Sequence, residues 1–120
     1  MRRKPGALVP LEVAICEAAA ALRAGGRDDF HGYEIAKTIG DASSVRLLTA
    51  YGTLYRALGR LEKMGLLTSR WEDPEIPARE NRPGRRLYTM TALGDTALSE
   101  ARAATDAATR RQPRRRLAPA

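Results

Sequence analysis

Thr49-Ala50-Tyr51-Gly52-Thr53-Leu54-Tyr55-Arg56-Ala57-Leu58-Gly59-Arg60-Leu61-Glu62-Lys63-Met64-Gly65 is the stretch on which the fold turns. Thr49 can cap a helix, Gly65 can end one in a left-handed conformation, and the residues between them carry two distinct faces. At about 100° per residue, Leu54, Ala57, Leu58 and Leu61 fall within an arc of about 100°. Thr53, Arg56, Arg60 and Lys63 fall within an arc of about 80° on the opposite side. One face belongs in a core, and the other offers cations to a partner.

Downstream, Leu67, Ser69 and Trp71 alternate as a strand does, and so do Arg86, Tyr88 and Met90. Between them Pro74, Pro77, Pro83 and Gly84 read as an Arg-rich loop, so the two strands form a long-looped hairpin. Upstream, a short helix runs from about His31 to Ile39, closed by Gly40, with Tyr33, Ala36 and Ile39 as its inward stripe. Gly25-Gly26 ends a first helix that starts at Pro10 and repeats Leu11, Ile15, Ala18 or Ala19, and Leu22. Val13, Ala14, Cys16 and Ala21 make its other faces apolar too, which predicts a second partner surface.

After the hairpin, Thr91 opens an Ala-rich helix to about Arg111, where Pro113 forbids continuation. Such a helix of about 20 residues is about 30 Å long. Its stripe of Leu93, Ala97, Ala101, Ala104, Thr105 and Ala108 is too small to hold a lone helix, but suits close contact with a second backbone. Three helices, two strands around a long loop and a last helix make a mainly α fold with a small two-stranded β-hairpin. The arrangement is a winged helix-turn-helix followed by a C-terminal dimerisation helix. The segments divide as a basic arm (1–7), the winged domain (8–90), the dimerisation helix (91–111) and a basic disordered tail (112–120).

Composition narrows the function. The 120 residues suffice for about one domain. Of the apolar residues 21 are Ala and only six are aromatic, a thin core that predicts oligomerisation. One Cys and one His cannot build a Cys/His zinc cluster, an internal disulfide or a Cys-His nucleophile pair with a spare orienting group. No metal, cofactor or catalytic residue is expected, and the chain is read as not an enzyme. No uncharged run approaches the roughly 20 residues that span a bilayer. Glu12 and Glu17 interrupt the apolar stretch after the basic start, so a cytoplasmic location with no membrane partner is expected.

The net charge is +7. Arg2, Arg3 and Lys4 with Arg110, Arg111, Arg114, Arg115 and Arg116 account for more than all of it. Within the remainder, residues 46–86 carry nine basic groups against five acidic ones, while residues 5–45 and 87–109 are net acidic. The basic middle third points to a polyanion there. A helix that protrudes can bring Arg or Lys to phosphates and to guanine edges. Arg79, Arg82, Arg85 and Arg86 would put cations where a wing meets the backbone or the minor groove.

The residues resemble the PadR-like transcriptional regulators. His31-Gly32-Tyr33-Glu34-Ile35 is similar to that family's second-helix opening, and Gly52-Thr53-Leu54-Tyr55 to the start of its recognition helix. Leu58, Leu61-Glu62-Lys63 and Gly65-Leu66 continue the likeness, as do Arg82-Pro83, Tyr88, Thr91 and Gly94 past the wing. It spans about residues 8–100. Arg56 stands where a Pro commonly follows Gly-Thr-Leu-Tyr in this family, and Gly84 follows Arg82-Pro83 instead of preceding it. The chain ends soon after the last helix, like the family's short subtype.

The resemblance implies a sequence-specific regulator of double-stranded DNA, an effector-responsive repressor acting as a homodimer on a pseudo-palindromic operator. DNA contacts are expected from Tyr51, Thr53, Tyr55, Arg56, Arg60 and Lys63 and from the four wing arginines. The dimer interface is expected from Leu11, Ile15 and the Leu93 to Ala108 stripe. Trp71 is the candidate for lining a pocket for an unknown small-molecule effector, with plain packing on the sheet as its other reading. His31 is read as a capping or packing residue and Cys16 as a small buried hydrophobe. The alternative is a winged-helix module that docks a protein, but such a surface would show exposed Trp, Tyr, Leu or Met where Arg56, Arg60 and Lys63 stand.

Overall fold

The computed structural model of the chain describes residues 8–42 and 51–111. The expected cap Thr49, the basic arm and the basic tail lie outside what is described, and so does the side chain of Tyr51, expected on DNA. The elements are α1 (Pro10–Ala24), α2 (Gly32–Ala42), α3 (Tyr51–Lys63), β1 (Leu67–Trp71), α4 (Glu75–Glu80), β2 (Arg86–Met90) and α5 (Ala92–Arg111).

Helix α1 begins with Pro10, whose missing N–H is no loss at a first helical position, and its Glu12 Oε1 accepts the Val9 N–H at 3.1 Å. It ends at Gly25-Gly26, where Gly26 takes φ 96° and the Arg27 N–H returns to the Leu22 carbonyl at 2.9 Å. Within the chain α1 packs on α2, α3, α5 and β2, and this explains why its apolar residues are not confined to one stripe. Leu11 and Ile15, expected at a dimer interface, are 8% and 0% exposed and sit in the chain's own core. The second surface inferred from the helix's apolarity is supplied by the chain itself.

Helix α2 runs past Gly40 to Ala42 instead of closing there. Its inward stripe is Ile35, Ala36 and Ile39, all buried, whereas Tyr33 is 59% exposed and stacks its ring on His31. Ile35 and Ile39 are one turn apart, so they set the buried face and turn Tyr33 outward. Helix α3 buries Leu54, Ala57, Leu58 and Leu61 completely, as the sequence predicts. Gly65, at φ 80°, ends it with the Leu66 N–H on the Leu61 carbonyl at 2.9 Å.

Strands β1 and β2 pair antiparallel, with Leu67 opposite Met90, Ser69 opposite Tyr88 and Trp71 opposite Arg86. Phe30 adds a bridge on the other edge of β2, exchanging both backbone hydrogen bonds with Tyr88 at 3.0 and 2.8 Å. The Pro-rich connection is not a bare loop. It contains α4, started by Pro74, and tolerates Pro77 in its first turn, where an N–H has no helical acceptor. Asn81 closes α4 in the left-handed region at φ 54°.

Thr91 caps α5. Its Oγ1 accepts the Gly94 N–H at 3.0 Å and donates to the Gly65 carbonyl at 2.7 Å, so one hydroxyl joins the end of α3 to the start of α5. The helix then lies close enough to Leu66 that a Cβ on Gly94 would sit 2.5 Å from the Leu66 carbonyl oxygen and 2.6 Å from Met90 Cγ. Gly94→Ala is therefore expected to lower stability by about 1–3 kcal/mol, through overpacking against backbone that cannot yield. Urea unfolding of the two proteins measures the difference.

Candidate nucleic-acid interface

The exposed side of α3 carries Arg56 and Lys63, with Thr53 half-buried beside them. Neither cation has an acidic partner among the described residues. Arg60 lies on the same side but is committed: its Nε–H donates to Glu12 Oε2 at 2.9 Å, and that carboxylate is wholly buried in α1. Tyr55 is 47% exposed, and its phenol rests on Gly32 so closely that a Cβ there would collide with the ring. The two sequence motifs around Gly32 and Tyr55 thus meet at one crossing of α2 and α3.

His31 caps α2. Its Nδ1 accepts the Glu34 N–H at 3.4 Å, while Glu34 Oε1 accepts the His31 N–H at 3.0 Å, a reciprocal capping box in which His stands in place of Ser or Thr. Nε2 of the same ring lies 3.2 Å from Arg85 Nη1, which brings the root of the wing to the start of α2. Burial, chiefly, holds the His31 pKa below its usual value, with Arg85 adding to the effect. The ring does structural work.

Arg82, also expected on DNA, is held within the wing by several bonds. It donates to both oxygens of Glu72 at 2.6 and 3.0 Å, to Glu80 at 2.7 Å and to the Pro83 carbonyl at 3.0 Å. Glu72, nearly buried, also accepts the Arg85 N–H at 2.9 Å. Arg86 donates from Nε to Ser69 Oγ at 3.0 Å, and Ser69 donates to Glu62 Oε2 at 2.7 Å, so the wing strand is tied to α3. Its guanidinium also lies 5.2 Å from the Trp71 ring. Trp71 is 65% exposed under that cation, at the outer end of the hairpin. Arg79 is exposed on α4.

Sequence reasoning missed Glu72 and Glu12. Glu12 stands three residues after the helix cap, a position that signals capping, but nothing local announces its complete burial. Glu72 stands in an acidic stretch with Asp73 and Glu75, and nothing local marks it as the acid that Arg82 holds. Cys16 is buried, and burial, with Glu12 nearby, pushes its thiol up to about 11, where almost no thiolate forms at neutral pH.

On the far side, α5 is tied to α1 by Arg23 with Asp95 and by Arg102 with Glu17. Leu98 is buried, but Leu93 is 61% exposed and Ala104, Thr105 and Ala108 are open to solvent, with Ala97 and Ala101 half-buried. Met64, Leu66, Leu93, Thr96, Ala97 and Glu100 line an open cavity of about 370 Å³.

Residues 22–100 match the Transcriptional regulator PadR-like family. The fold is similar to that of a PadR family transcription regulator from hypervirulent Clostridium difficile, with 24% identity and TM-score 0.66, covering 83% of this chain and 91% of that one. It is also similar to a transcriptional regulator from Clostridium thermocellum, with 22% identity and TM-score 0.64, covering 82% of this chain and 85% of that one. No curated protein matches the chain significantly.

Acid should open the wing. The Arg82 guanidinium, and then the Arg85 N–H, hold the Glu72 carboxyl below the usual carboxylate range. A group depressed on folding stabilises above its unfolded pKa, about 4.3 for Glu, and that contribution is lost as pH falls through the lower folded value. Trp71 emission is expected to change on acidification below pH about 4.3, and Glu72→Gln is expected to move the neutral-pH spectrum toward the acid one. Identical titrations of the two proteins would contradict this role.

Proposed function

The chain belongs to the PadR-like family of transcriptional regulators, and from that premise we propose that it represses transcription as a homodimer on a pseudo-palindromic operator. Family membership makes it a DNA-binding regulator. What supports the finer reading is one observation: α3 has a fully buried apolar face and, opposite it, Arg56 and Lys63 held clear of any acidic partner among the described residues. A helix in this state can enter a major groove with its cations outward. Arg79, Arg85 and Arg86 extend the cationic surface over the wing, and Thr53 and Tyr55 flank it.

The dimer reading is supported by α5. Its Ala stripe and the exposed Leu93 bury little in the chain itself, and small side chains gain contact area only when another backbone comes close. A second copy fits, since a two-fold axis matches the stripe to itself. Two recognition helices about 34 Å apart would then read half-sites centred about 10 base pairs apart, or a multiple of that. Release from the operator by an effector requires a ligand with different affinity for the bound and free arrangements. The chain would act in the cytoplasm. Among the described residues, no helix is long and apolar enough to cross a membrane.

A gel-shift with the DNA upstream of the protein's own gene tests the proposal, and retarded DNA that survives nonspecific competitor is expected. Arg56→Ala should weaken that complex by about 1–3 kcal/mol, if the side chain reads a base. Unchanged affinity in the folded variant would remove Arg56 from the interface. Ala101→Glu with Ala104→Glu should convert a sedimenting dimer to a monomer and abolish the shift, because carboxylates would be forced into the contact. A wild-type monomer at micromolar concentration with full operator affinity would overturn the dimer.

A further inference from the structure

Glu12 sits at the start of α1 with its side chain fully enclosed, and Arg60 reaches it from α3, which packs on α1, 48 residues on in sequence. Glu12 Oε1 is held by the Val9 N–H, and Oε2 takes the Arg60 Nε–H at 2.9 Å. The core face of α3 is apolar, and apolar contact is nondirectional. An N–H to carboxylate bond prefers a narrow range of angles and a fixed distance. Nε is the guanidinium nitrogen nearest the helix, so its commitment fixes the plane of the whole group. The bond therefore restrains how far α3 can roll about its axis against α1. Roll matters because the cations of α3 occupy an arc of only about 80°, and a turn of one residue's spacing, about 100°, would carry them out of it.

We propose that Arg60 is a positioning residue for DNA recognition: anchored on buried Glu12, it sets the angle at which α3 is presented, and Arg56 and Lys63 make the contacts that Arg60 does not. The proposal rests on α3 being the recognition helix.

The test uses the full chain and an operator fragment, with Glu12→Gln, Arg60→Gln and the double variant compared below their unfolding temperatures. Glu12 has no surface that DNA could touch, yet Glu12→Gln alone is expected to weaken operator binding by about tenfold, within the range of coupled neighbours. Arg60→Gln should weaken it similarly, the double variant no further than either single one, and the dependence of log K on log salt should keep its slope. If Arg60 touches DNA directly, Glu12→Gln will leave affinity at the wild-type value. Arg60→Gln will then cost the same in both backgrounds, and it will either flatten the salt slope by about 0.9 or lose discrimination at one base pair. That result overturns the proposal alone, as does wild-type affinity in folded Glu12→Gln, which would make the pair structural only. Absence of specific binding by the wild-type chain would overturn the recognition reading and this proposal with it. Should Arg60→Gln fail to fold, the remaining two variants decide: equal affinities below wild type support positioning, and a wild-type value in Glu12→Gln refutes it. Should Glu12→Gln fail to fold, the salt slope and base discrimination of Arg60→Gln decide in the same sense.

Discussion

As the proposed recognition helix, α3 can spend only one face on holding itself in place. Leu54, Ala57, Leu58 and Leu61 are all completely buried, and the three leucines contribute about 1.5–3 kcal/mol each by leaving water. The cations opposite must stay largely free if the helix is to enter a groove, so little of the anchoring can come from there, Arg60 with Glu12 being the exception. The surrounding structure meets that constraint from the ends and the flanks. Gly65 and Thr91 fix the end of α3 to the start of α5, Glu62 and Ser69 fix its flank to the hairpin, and Tyr55 fixes its beginning to α2 through the open surface of Gly32.

Charge is divided by the same rule. The basic middle third suggests nine cations facing a polyanion, but the fold assigns several of them elsewhere. Arg60 holds Glu12, Arg82 holds Glu72 and Glu80, and Arg70 pairs with Asp29. Among the described residues, what is left clear is a smaller set, led by Arg56, Lys63 and Arg79. Surface pairs such as Arg70 with Asp29 contribute at most about 1 kcal/mol. The partly enclosed ones matter more for shape, because a buried carboxylate deprived of its partner is costly and the geometry that satisfies it is specific.

Periodicity made most of the architecture legible. The α3 arcs, the two strands in their alternation and the Thr91 and Gly65 boundaries follow from local rules that tertiary contacts did not override. The misreadings share a cause. The spacing of Tyr33, Ala36 and Ile39 puts Tyr33 on an inward stripe, but Ile35 and Ile39 set the buried face and leave it outside. Pro74 and Pro77 signal a loop by composition, yet Pro at a helix start costs little, and α4 forms there. Leu11 and Ile15 were expected to face a second copy since α1 is apolar all round, whereas α1 is the helix around which the others pack. Which arginines pair with which acids was not legible at all, as Glu12 and Arg60 are 48 residues apart and only the fold brings them together.

The central place of α1 also bears on how separate surfaces could act together. Helix α5 packs on α1, with Arg23–Asp95 and Arg102–Glu17 as exposed pairs along the contact, and α3 is held to α1 by apolar packing and by Arg60 with Glu12. A helix so enclosed cannot bend or slide by small amounts without opening voids, because interiors are packed as densely as organic crystals. The directional bond from Glu12 is the part of the α1 and α3 contact that resists being averaged away by apolar slip.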